Sequence, residues 1–331
     1  MRKLLIFGVA FLVLLGSAVS AGEFSKVGSV GAQFLKIGVG SRYQGLGEAS
    51  VAVVNDAYSL YWNPAGLAYI EGSDLTFTNV NWVSDISLNY IGFGTHVEDF
   101  GNIGFAATLL TMGDMTVTTV ENPNGTGETF SASSFALTVG YAKLLTNRLA
   151  FGASIKYIYE TIHNESASGI AFDFGTQLNT GFRSLRIGMN ISNMGSSMKF
   201  DGPDLNGRIE STNGTTSDGR VLVDSYDLPL TFRLGMAYDL INSNENRWTL
   251  SFEAKHPNDD EQQASIGGEY SFQEKYFLRA GYKLNYSEQG VTLGAGLQSP
   301  LSENSDFIAD YSWADFGRLN DIHRFSIGFK F

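Results

Sequence analysis

The last ten residues of the chain, Ile322–Phe331 (IHRFSIGFKF), alternate between apolar and polar side chains. Phe325, Ile327, Phe329 and Phe331 lie on one face of an extended strand, and the residues between them lie on the other. A hydrophobic strand with an unpaired edge favours aggregation unless another strand covers that edge. The pattern therefore predicts a sheet closed on itself, in which this strand pairs with the first one.

The same four apolar residues form a candidate assembly signal. An aromatic strand at the chain end that packs on lipid is a feature that membrane assembly can recognise. We therefore expect outer-membrane lipid and the barrel assembly machinery to be partners of Phe325, Ile327, Phe329 and Phe331.

Period-two alternation recurs throughout residues 73–331 and predicts about fourteen strands. We predict an all-β fold, a transmembrane antiparallel β-barrel, with these strands of roughly ten residues or more. The predicted strands are Asp74–Val83, Ile86–Val97, Asn102–Met112, Phe130–Leu145, Arg148–Ile162, Gly169–Asn179, Arg183–Asn193, Leu228–Leu240, Arg247–His256, Ala264–Phe272, Tyr276–Asn285, Gly290–Leu301, Asp306–Asp315 and Ile322–Phe331.

The lengths of the predicted connections test the barrel interpretation. Connections after even-numbered strands are short, whereas Gly113–Thr129, Met194–Asp227 and Pro257–Gln263, which follow odd-numbered strands, are long. Outer-membrane barrels have short periplasmic turns and longer external loops. The alternation favours a barrel over a soluble sandwich and places both termini in the periplasm.

The N-terminus reads as a cleaved signal peptide, Met1–Ala21, with a charged start, an apolar run and small residues before the cleavage site. The mature chain contains no long apolar helix, yet 43% of all residues are hydrophobic and 38 are glycine. Dispersed hydrophobicity of this kind is typical of barrel strands. The expected location is the bacterial outer membrane.

Composition also excludes some classes of function. The chain has no cysteine, which excludes a disulfide scaffold, and its net charge of −12 argues against nucleic acid as a partner. Its four histidines show neither metal-ligand spacing nor a serine-hydrolase motif. We predict no enzyme activity, no catalytic or metal site and no cofactor.

A charged side chain facing lipid at mid-bilayer costs roughly 2–4 kcal/mol for Arg or Lys. Charged residues inside the strands are therefore expected to face the lumen, either as an ion-paired filling or as a polar conduit. These residues are Lys156, Arg186, Arg233, Glu253, Glu269, Arg279, Lys283 and Asp310. Trp82, Trp248 and Trp313 are expected in the interfacial girdles. Asp259-Asp260-Glu261 reads as solvated loop charge.

Residues 22–72 do not alternate, and short apolar pieces such as Ala49–Val54 are compatible with brief helices or hairpins. The aromatic residues of this segment argue against disorder. We expect it to fold into the barrel lumen as a plug, ahead of the barrel domain at residues 73–331.

Two stretches of this segment, GAQFLKIGVGSR (31–42) and GLGEASVAVVNDAYSLYWNPAGLA (45–68), resemble the N-terminal signature of the PorV/PorQ family of outer-membrane barrels. DLPLTFRLGMAY (227–238) is also similar to that family. The family is related to the FadL long-chain fatty-acid transporters. The resemblance assigns a plug or hatch motif to Gly45, Gly47, Asp56, Ala57, Asn63, Pro64 and Ala65.

The resemblance implies a role in type IX protein secretion, in which PorV-like members bind secreted cargo proteins or secretion-system components. The external loop Met194–Asp227 is the expected contact surface. The kinship with FadL implies an alternative, the passive uptake of hydrophobic small molecules through the barrel. A mainly structural role is the third possibility.

Overall fold

Fourteen antiparallel strands form a closed barrel in the computed structural model, which describes residues 27–210 and 216–331. The strands are β1 (Ser73–Asn81), β2 (Ser87–Val97), β3 (Gly101–Thr111), β4 (Ala132–Leu144), β5 (Leu149–Ile162), β6 (Glu165–Asn179), β7 (Arg186–Gly195), β8 (Thr231–Asn242), β9 (Asn246–Pro257), β10 (Gln263–Phe272), β11 (Tyr276–Leu284), β12 (Val291–Ser302), β13 (Ser305–Ala314) and β14 (Ile322–Lys330). The predicted fold class and strand number are confirmed. The predicted signal peptide, Met1–Ala21, lies outside the described residues.

The last strand closes the ring on the first. Ile327 of β14 lies opposite Phe77 of β1, and both side chains are exposed on the outer face. The pairing continues past the end of β14, because the backbone N–H of Phe331 donates to the carbonyl of Ser73. No sheet edge remains unpaired in the ring, as expected for a closed barrel.

Burial along each strand is inverted relative to a water-soluble sheet. In β5, Phe151, Ile155 and Tyr157 are 37–45% exposed, whereas Ser154 and Lys156 are each 5% exposed. The backbone N–H and C=O groups of the wall are paired between strands, so the wall needs no water to satisfy them. Its exposed apolar side chains are then stable only in contact with lipid.

The strand boundaries differ from the prediction by a few residues. The largest difference is at β6, which begins at Glu165 instead of Gly169. β8 begins at Thr231 instead of Leu228. Pro229 has no N–H to donate to a neighbouring strand, and Leu228 is buried in an apolar cluster inside the barrel mouth. The apolar character of Leu228 therefore reflects packing inside the barrel and not a strand.

Long and short connections lie at opposite ends of the barrel, which we call the long-loop end and the short-turn end. The two longest connections contain two-stranded hairpins, Met115–Thr116 with Thr129–Phe130 and Asn206–Glu210 with Thr216–Arg220. Single 3₁₀ turns lie at Val83–Asp85, Pro203–Leu205 and Gly317–Leu319. Among the described residues, no helix is long and apolar enough to cross a membrane.

The N-terminal segment contains only short helices before the first strand. A 3₁₀ turn at Gln33–Lys36 is followed by the α-helices α1 (Ser41–Gly45) and α2 (Ser59–Trp62) and by a 3₁₀ helix at Pro64–Tyr69. Residues 51–53 form a turn, which resolves the helix-or-hairpin alternative for Ala49–Val54. Trp62 and Tyr43 are fully buried and form one apolar cluster, so this segment has a packed core.

Candidate functional site

The N-terminal segment contacts inward-facing side chains around the ring. Asn102 of β3 donates to the carbonyl oxygens of Leu67 and Ile70 at 2.7 and 2.6 Å. Three strands further along the ring, Ser326 of β14 accepts the backbone N–H of Ser41 at 2.8 Å. These contacts join the N-terminal segment to the inner face of the wall.

Glycines on the inner face of the wall allow the segment to approach the strands closely. A Cβ atom at Gly152 would lie 2.3 Å from the carbonyl carbon of Pro64, and one at Gly188 would lie 2.2 Å from the carbonyl oxygen of Val51. Neither backbone atom can move independently of its chain. Glycines in similar contact with the segment are Gly94, Gly104, Gly140, Gly175, Gly235, Gly267, Gly281 and Gly294, and we call the ten together the glycine belt.

The Asn63-Pro64-Ala65 motif docks the segment on β5 and β6. The side-chain amide of Asn63 donates to the carbonyls of Val51 and Thr176, and its Oδ1 atom accepts the N–H of Ala65 at 3.2 Å. Asn63 thus caps the following 3₁₀ helix, and Pro64 occupies its first turn, where no N–H is needed. The motif positions a turn against two glycines of the wall.

Gly45 and Gly47 lie against the other side of the wall. The backbone of residues 45–47 packs directly on Gly267, Gly281 and Gly294, with no side chain between the two backbones. Gly47 has a φ of 64°, which an L-residue rarely adopts.

Asp56 and Ala57 lie near the short-turn end. The carboxylate of Asp56 accepts the hydroxyl of Tyr43 at 2.6 Å, and the N–H of Ala57 donates to Asp74. Burial raises the pKa of Asp56 above its ordinary value despite the nearby Arg42.

Every charged side chain predicted to face the lumen forms an ion pair inside the barrel. Wall residues pair with wall residues in five of these contacts, and two contacts join the wall to the N-terminal segment. The wall pairs are Lys156–Asp173, Arg186–Asp239, Arg233–Glu253 and the chain Glu269–Arg279–Asp310, and the segment contacts are Glu48–Lys283 and Arg42–Glu269. Of the two interpretations left open by the sequence, this arrangement is an ion-paired filling.

Glu253, Glu269 and Glu48 are three carboxylates that take part in charged contacts between wall and segment. Glu253 accepts the backbone N–H groups of Ser50 and Val51 at 2.8 and 2.9 Å while it binds Arg233. Arg42 binds Glu269 through two parallel hydrogen bonds of 2.9 and 3.0 Å. This bidentate geometry is the strongest form of the pair.

Glu48 is the third carboxylate, and its Oε1 atom lies 2.6 Å from the ammonium of Lys283. Burial alone raises the pKa of Glu48, but Lys283, Lys255 and Arg233 outweigh burial and hold the pKa well below its usual range. Glu48 is therefore ionised at neutral pH inside the barrel.

The sequence prediction missed several inward-facing charges. Asp173, Lys255 and Arg324 are 1–6% exposed and lie on the same strand faces as the charges that were predicted. Strand parity alone identifies them, because Lys255 is two residues from Glu253 and Arg324 is two from Ser326. The interpretation of Asp259 as solvated loop charge is wrong, since Asp259 is 3% exposed and binds Lys36 of the segment at 2.9 Å.

A cavity of about 540 Å³, which we call the mouth cavity, opens at the long-loop end. The segment forms its floor through Phe34 and Ile37, and its walls include Trp82, Phe316 and Lys255. The girdle position expected for Trp82 is therefore wrong: its ring packs edge-on against Phe316 at 5.0 Å. Trp82 follows the end of β1, where the strand pattern no longer determines the direction of its side chain.

A smaller cavity of about 170 Å³ lies at the short-turn end, lined by Arg42, Asp56 and Lys330 among others. Arg42 lines this cavity, whereas Glu48 lines the mouth cavity. The backbone of residues 45–47, in contact with the glycine belt, lies between these two residues. The two cavities are therefore separated along this part of the wall.

The connection between β7 and β8 begins and ends against the N-terminal segment. Met198 and Leu228 are 1% and 3% exposed and pack in one apolar cluster with Phe34. The carbonyl of Asp227 accepts the N–H of Gly31 at 3.0 Å. Both ends of this long loop are thus attached to the start of the segment.

The candidate assembly residues lie at the outer surface of the closing strand. Phe325, Ile327 and Phe331 are 42–58% exposed, and Phe329 packs against Phe307 of β13 with 5.4 Å between ring centroids. These positions allow contact with lipid. Recognition of the four residues during assembly stays a prediction.

Solved structures with the same fold include channels and transporters. The CymD monoaromatic hydrocarbon channel is 13% identical, with a TM-score of 0.55 over 88% of this chain and 97% of that protein. The toluene transporter TbuX of Ralstonia pickettii is 14% identical, with a TM-score of 0.52 over 88% and 97%. A FadL homologue of Pseudomonas aeruginosa is 12% identical, with a TM-score of 0.54 over the same shares. At this identity the likeness shows the fold alone.

Sequence comparison identifies the family. No curated protein matches the chain significantly. The profile of the family described as type IX secretion system protein PorV matches residues 21–257, which is more than half of the chain. The family and the fold are those of a membrane barrel and not of an enzyme. The chain therefore belongs to the PorV family and is an outer-membrane β-barrel protein.

Proposed function

We propose that this protein acts in type IX secretion by binding secreted cargo proteins or secretion-system components at its long-loop end. In this proposal the long-loop end faces the cell exterior and both chain ends face the periplasm. The N-terminal segment is a plug that keeps the lumen closed, so that the barrel serves as a scaffold for its loops.

The observation that carries the proposal is the way in which the interior is filled. Buried ion pairs such as Glu48–Lys283 and direct backbone contacts at the glycine belt hold the segment around the ring. Breaking a buried ion pair leaves an uncompensated charge, which typically costs about 3–5 kcal/mol. Displacing the whole plug for each passing solute would break several such pairs, whereas binding a partner at the mouth would break none.

The long loop between β7 and β8 is the expected binding surface. Its length exceeds what the joining of two adjacent strands requires, and loops on a rigid scaffold are where binding residues collect. Attachment of Asp227 to Gly31 fixes the position at which the loop leaves the barrel.

Shortening this loop tests the proposal. A strain lacking the gene is complemented with the intact chain, with a version shortened between Lys199 and Val223, or with a control shortened within residues 117–127 of the other hairpin loop. We expect cargo to accumulate in the periplasm when the first loop is shortened, while the control restores surface display. Normal display with the chain shortened between Lys199 and Val223 would contradict the proposal.

The alternative function is passive uptake of a hydrophobic small molecule, and the mouth cavity favours it. Phe34, Ile37, Trp82 and Phe316 give this cavity apolar surface at the long-loop end. In this alternative the plug has to move, and the loop is dispensable. Uptake of a labelled fatty acid or aromatic compound, measured in the same strains, distinguishes the two: lost uptake in the gene-deleted strain with normal display would support the transporter.

Outer-membrane lipid and the barrel assembly machinery are the partners proposed for the outer face and the closing strand. Replacing Phe331 by Asp places a charge at the lipid boundary, where β14 pairs with β1. We expect less membrane-inserted protein, with export across the inner membrane unchanged.

A further inference from the structure

Lys156 of β5, Asp173 of β6 and Asn193 of β7 form one buried cluster on three adjacent strands. Their side chains belong to residues that are 1–5% exposed. The ammonium of Lys156 lies 2.8 Å from Oδ2 of Asp173, and it also donates to Oδ1 of Asn193 at 2.8 Å. An amine, a carboxylate and a carboxamide are therefore in direct contact inside the barrel.

A β-bulge turns Asn193 toward the lumen. The register between β6 and β7 shifts at this point, so that Ser192 and Asn193 lie opposite the single residue Asp173. Regular alternation would point one of two neighbours toward lipid, yet Ser192 and Asn193 are 6% and 4% exposed. Asn193 has a φ of 61°, a left-handed conformation that is uncommon for residues other than glycine. The wall thus departs from regular strand geometry at the residue that contacts Lys156.

Two hydrogen bonds orient the carboxamide of Asn193 with its carbonyl toward the amine. Its Nδ2 atom donates to the carbonyl of Pro229 at 3.1 Å, so Oδ1 is the atom that faces Lys156. The amide carbon is one C=O bond beyond Oδ1, which places it at most about 4 Å from Nζ of Lys156. Reacting atoms are in near-attack geometry at about 3–3.5 Å, so a movement of no more than about 1 Å brings amine and amide together.

Asp173 is placed to accept a proton from the amine. Its Oδ2 atom also accepts the hydroxyl of Ser154 at 2.9 Å, and its Oδ1 atom accepts the backbone N–H of Asn193 at 2.8 Å. The cavity that borders Lys156 and Asn193 has a volume of about 10 Å³, roughly the space of one water molecule. Because bulk water does not solvate the two charges, a proton transfer that neutralises both is less unfavourable than in water.

We propose that Lys156 and Asn193 form an intramolecular isopeptide bond, with Asp173 as the general base. Asp173 takes one proton from the ammonium of Lys156, and the neutral amine attacks Cγ of Asn193. The Nζ–Cγ bond forms and the Cγ–Nδ2 bond breaks. A second proton moves from Nζ to Nδ2, which leaves as ammonia, and the third stays on the new amide. Ammonia then takes the proton held by Asp173 and departs as ammonium, so no oxidant or other co-reactant is needed.

The bond joins β5 to β7 across β6. Because β7 ends at Gly195, two residues beyond Asn193, the bond fixes the wall where the long loop between β7 and β8 begins. A cross-link between residues 156 and 193 also reduces the conformational entropy of the unfolded chain. The inference does not depend on the secretion role, since the reaction takes place within one chain.

The native chain itself tests the proposal. Protein purified from outer membranes is measured by intact mass spectrometry, and it is then unfolded and digested with trypsin. We expect a mass lower than that of the sequence by one ammonia molecule. Because trypsin does not cleave after an acylated lysine, residues 149–183 should remain one peptide that is joined to residues 187–199. The full mass, with linear peptides 149–156 and 187–199, would overturn the proposal and leave an ordinary ion pair.

The branched peptide is the decisive observation, because an asparagine followed by glycine can also lose ammonia by closing on its own backbone. Asn124-Gly125 is such a site in the chain. A mass lower by one ammonia molecule, with only linear peptides from residues 149–199, would therefore count against the isopeptide bond.

Two variants of β7 assign the bond to its residue. Asn193→Ala removes the carboxamide and should give linear peptides only. Asn190→Ala is the matched control, since Asn190 is also buried on β7 and its amide donates to the carbonyl of Trp62 at 3.0 Å. This variant should keep the branched peptide, and heat-modifiable gel mobility shows that each variant has folded. A branched peptide in folded Asn193→Ala would overturn the assignment.

Asp173→Asn tests the role of the base. The variant keeps the amine and the carboxamide but removes the proton acceptor, and the loss of a general base slows a reaction by about 100-fold or more. We expect folded Asp173→Asn to give mainly linear peptides when it is purified alongside the native chain. A linked fraction equal to that of the native chain would overturn the assignment of Asp173 as the base.

Discussion

The N-terminal segment is held by two faces of the wall that use different chemistry. Strands β2–β7 contact it through neutral groups. These are glycines, which meet the backbone and the leucine side chains of the segment, and amides such as Gln177, which donates to the carbonyls of Val51 and Val54. Strands β8–β11 contact it through buried ions as well, with Glu253, Glu269 and Lys283 bound to the segment.

The neutral face and the charged face hold the segment in different ways. At the neutral face the missing side chains let two backbones touch, so the contact depends on shape and tolerates no added atom. At the charged face each contact depends on the identity of its partner, because removal of one member leaves a buried charge. The two faces should therefore respond to different substitutions.

The largest effect is expected from Glu253→Gln on the charged face. The substitution leaves the buried Arg233 without its carboxylate and weakens the acceptor for Ser50 and Val51. We expect the free energy of unfolding, measured with urea in detergent micelles, to fall by about 3–5 kcal/mol.

Glu274→Gln is the matched control for this change. Glu274 also binds an arginine, Arg247, but its side chain is 56% exposed at the short-turn end. An exposed pair contributes about 0–1 kcal/mol. Equal losses of unfolding free energy for Glu253→Gln and Glu274→Gln would show that the Arg233–Glu253 pair is no better shielded from solvent than the exposed pair.

Gly152→Ala probes the neutral face. The new methyl group would lie 2.3–2.5 Å from backbone atoms of Pro64 and Ala65, so the segment or the strand must shift. Overpacking of this kind costs about 1–3 kcal/mol. We expect lower stability in urea and easier proteolysis of the segment in the folded barrel.

Gly268→Ala provides the control, since its new methyl group would meet only the side chain of Leu250 at an ordinary 3.5 Å. Equal stability of Gly152→Ala and Gly268→Ala would contradict the close contact between the segment and the wall at Gly152.

The smallest effect is expected from pH acting on Glu48. Its folded pKa lies below its ordinary value of 4.5, so its contribution to stability is complete above that pH and is lost as the pH falls toward the folded pKa. The stability difference between the native chain and Glu48→Gln should therefore shrink when urea unfolding is repeated below pH 4.5. A difference that is constant from neutral to acidic pH would mean that Glu48 has no depressed pKa.

The fold was predictable because it follows from local pattern. Alternation in stretches such as Ile322–Phe331 and the lengths of the connections depend only on neighbouring residues, and they indicate strand number and closure. The inward charges were predictable for the same reason. Alternation also puts Lys255 on the face of Glu253 and Arg324 on the face opposite Phe325, although neither was included in the predicted set.

Contacts between the segment and the wall were not predictable in this way. Lys36 and Asp259 are 223 positions apart in the sequence, and no local pattern shows that they meet. The glycine belt is similar: each glycine by itself is compatible with a turn, a bulge or a close approach, and only the position of Pro64 against Gly152 distinguishes these roles.

The central claim is that the N-terminal segment lies fixed inside the closed barrel, and a single cross-link tests it most directly. The hydroxyl oxygens of Ser41 on α1 and Ser326 on β14 are 2.9 Å apart and buried, and the chain has no cysteine of its own. The variant S41C/S326C should form a disulfide in membrane-inserted, heat-modifiable protein, whereas S41C/S243C, with its second thiol in an exposed turn, should not. Correctly inserted S41C/S326C protein whose two thiols stay free and react with a membrane-impermeant maleimide would contradict the claim.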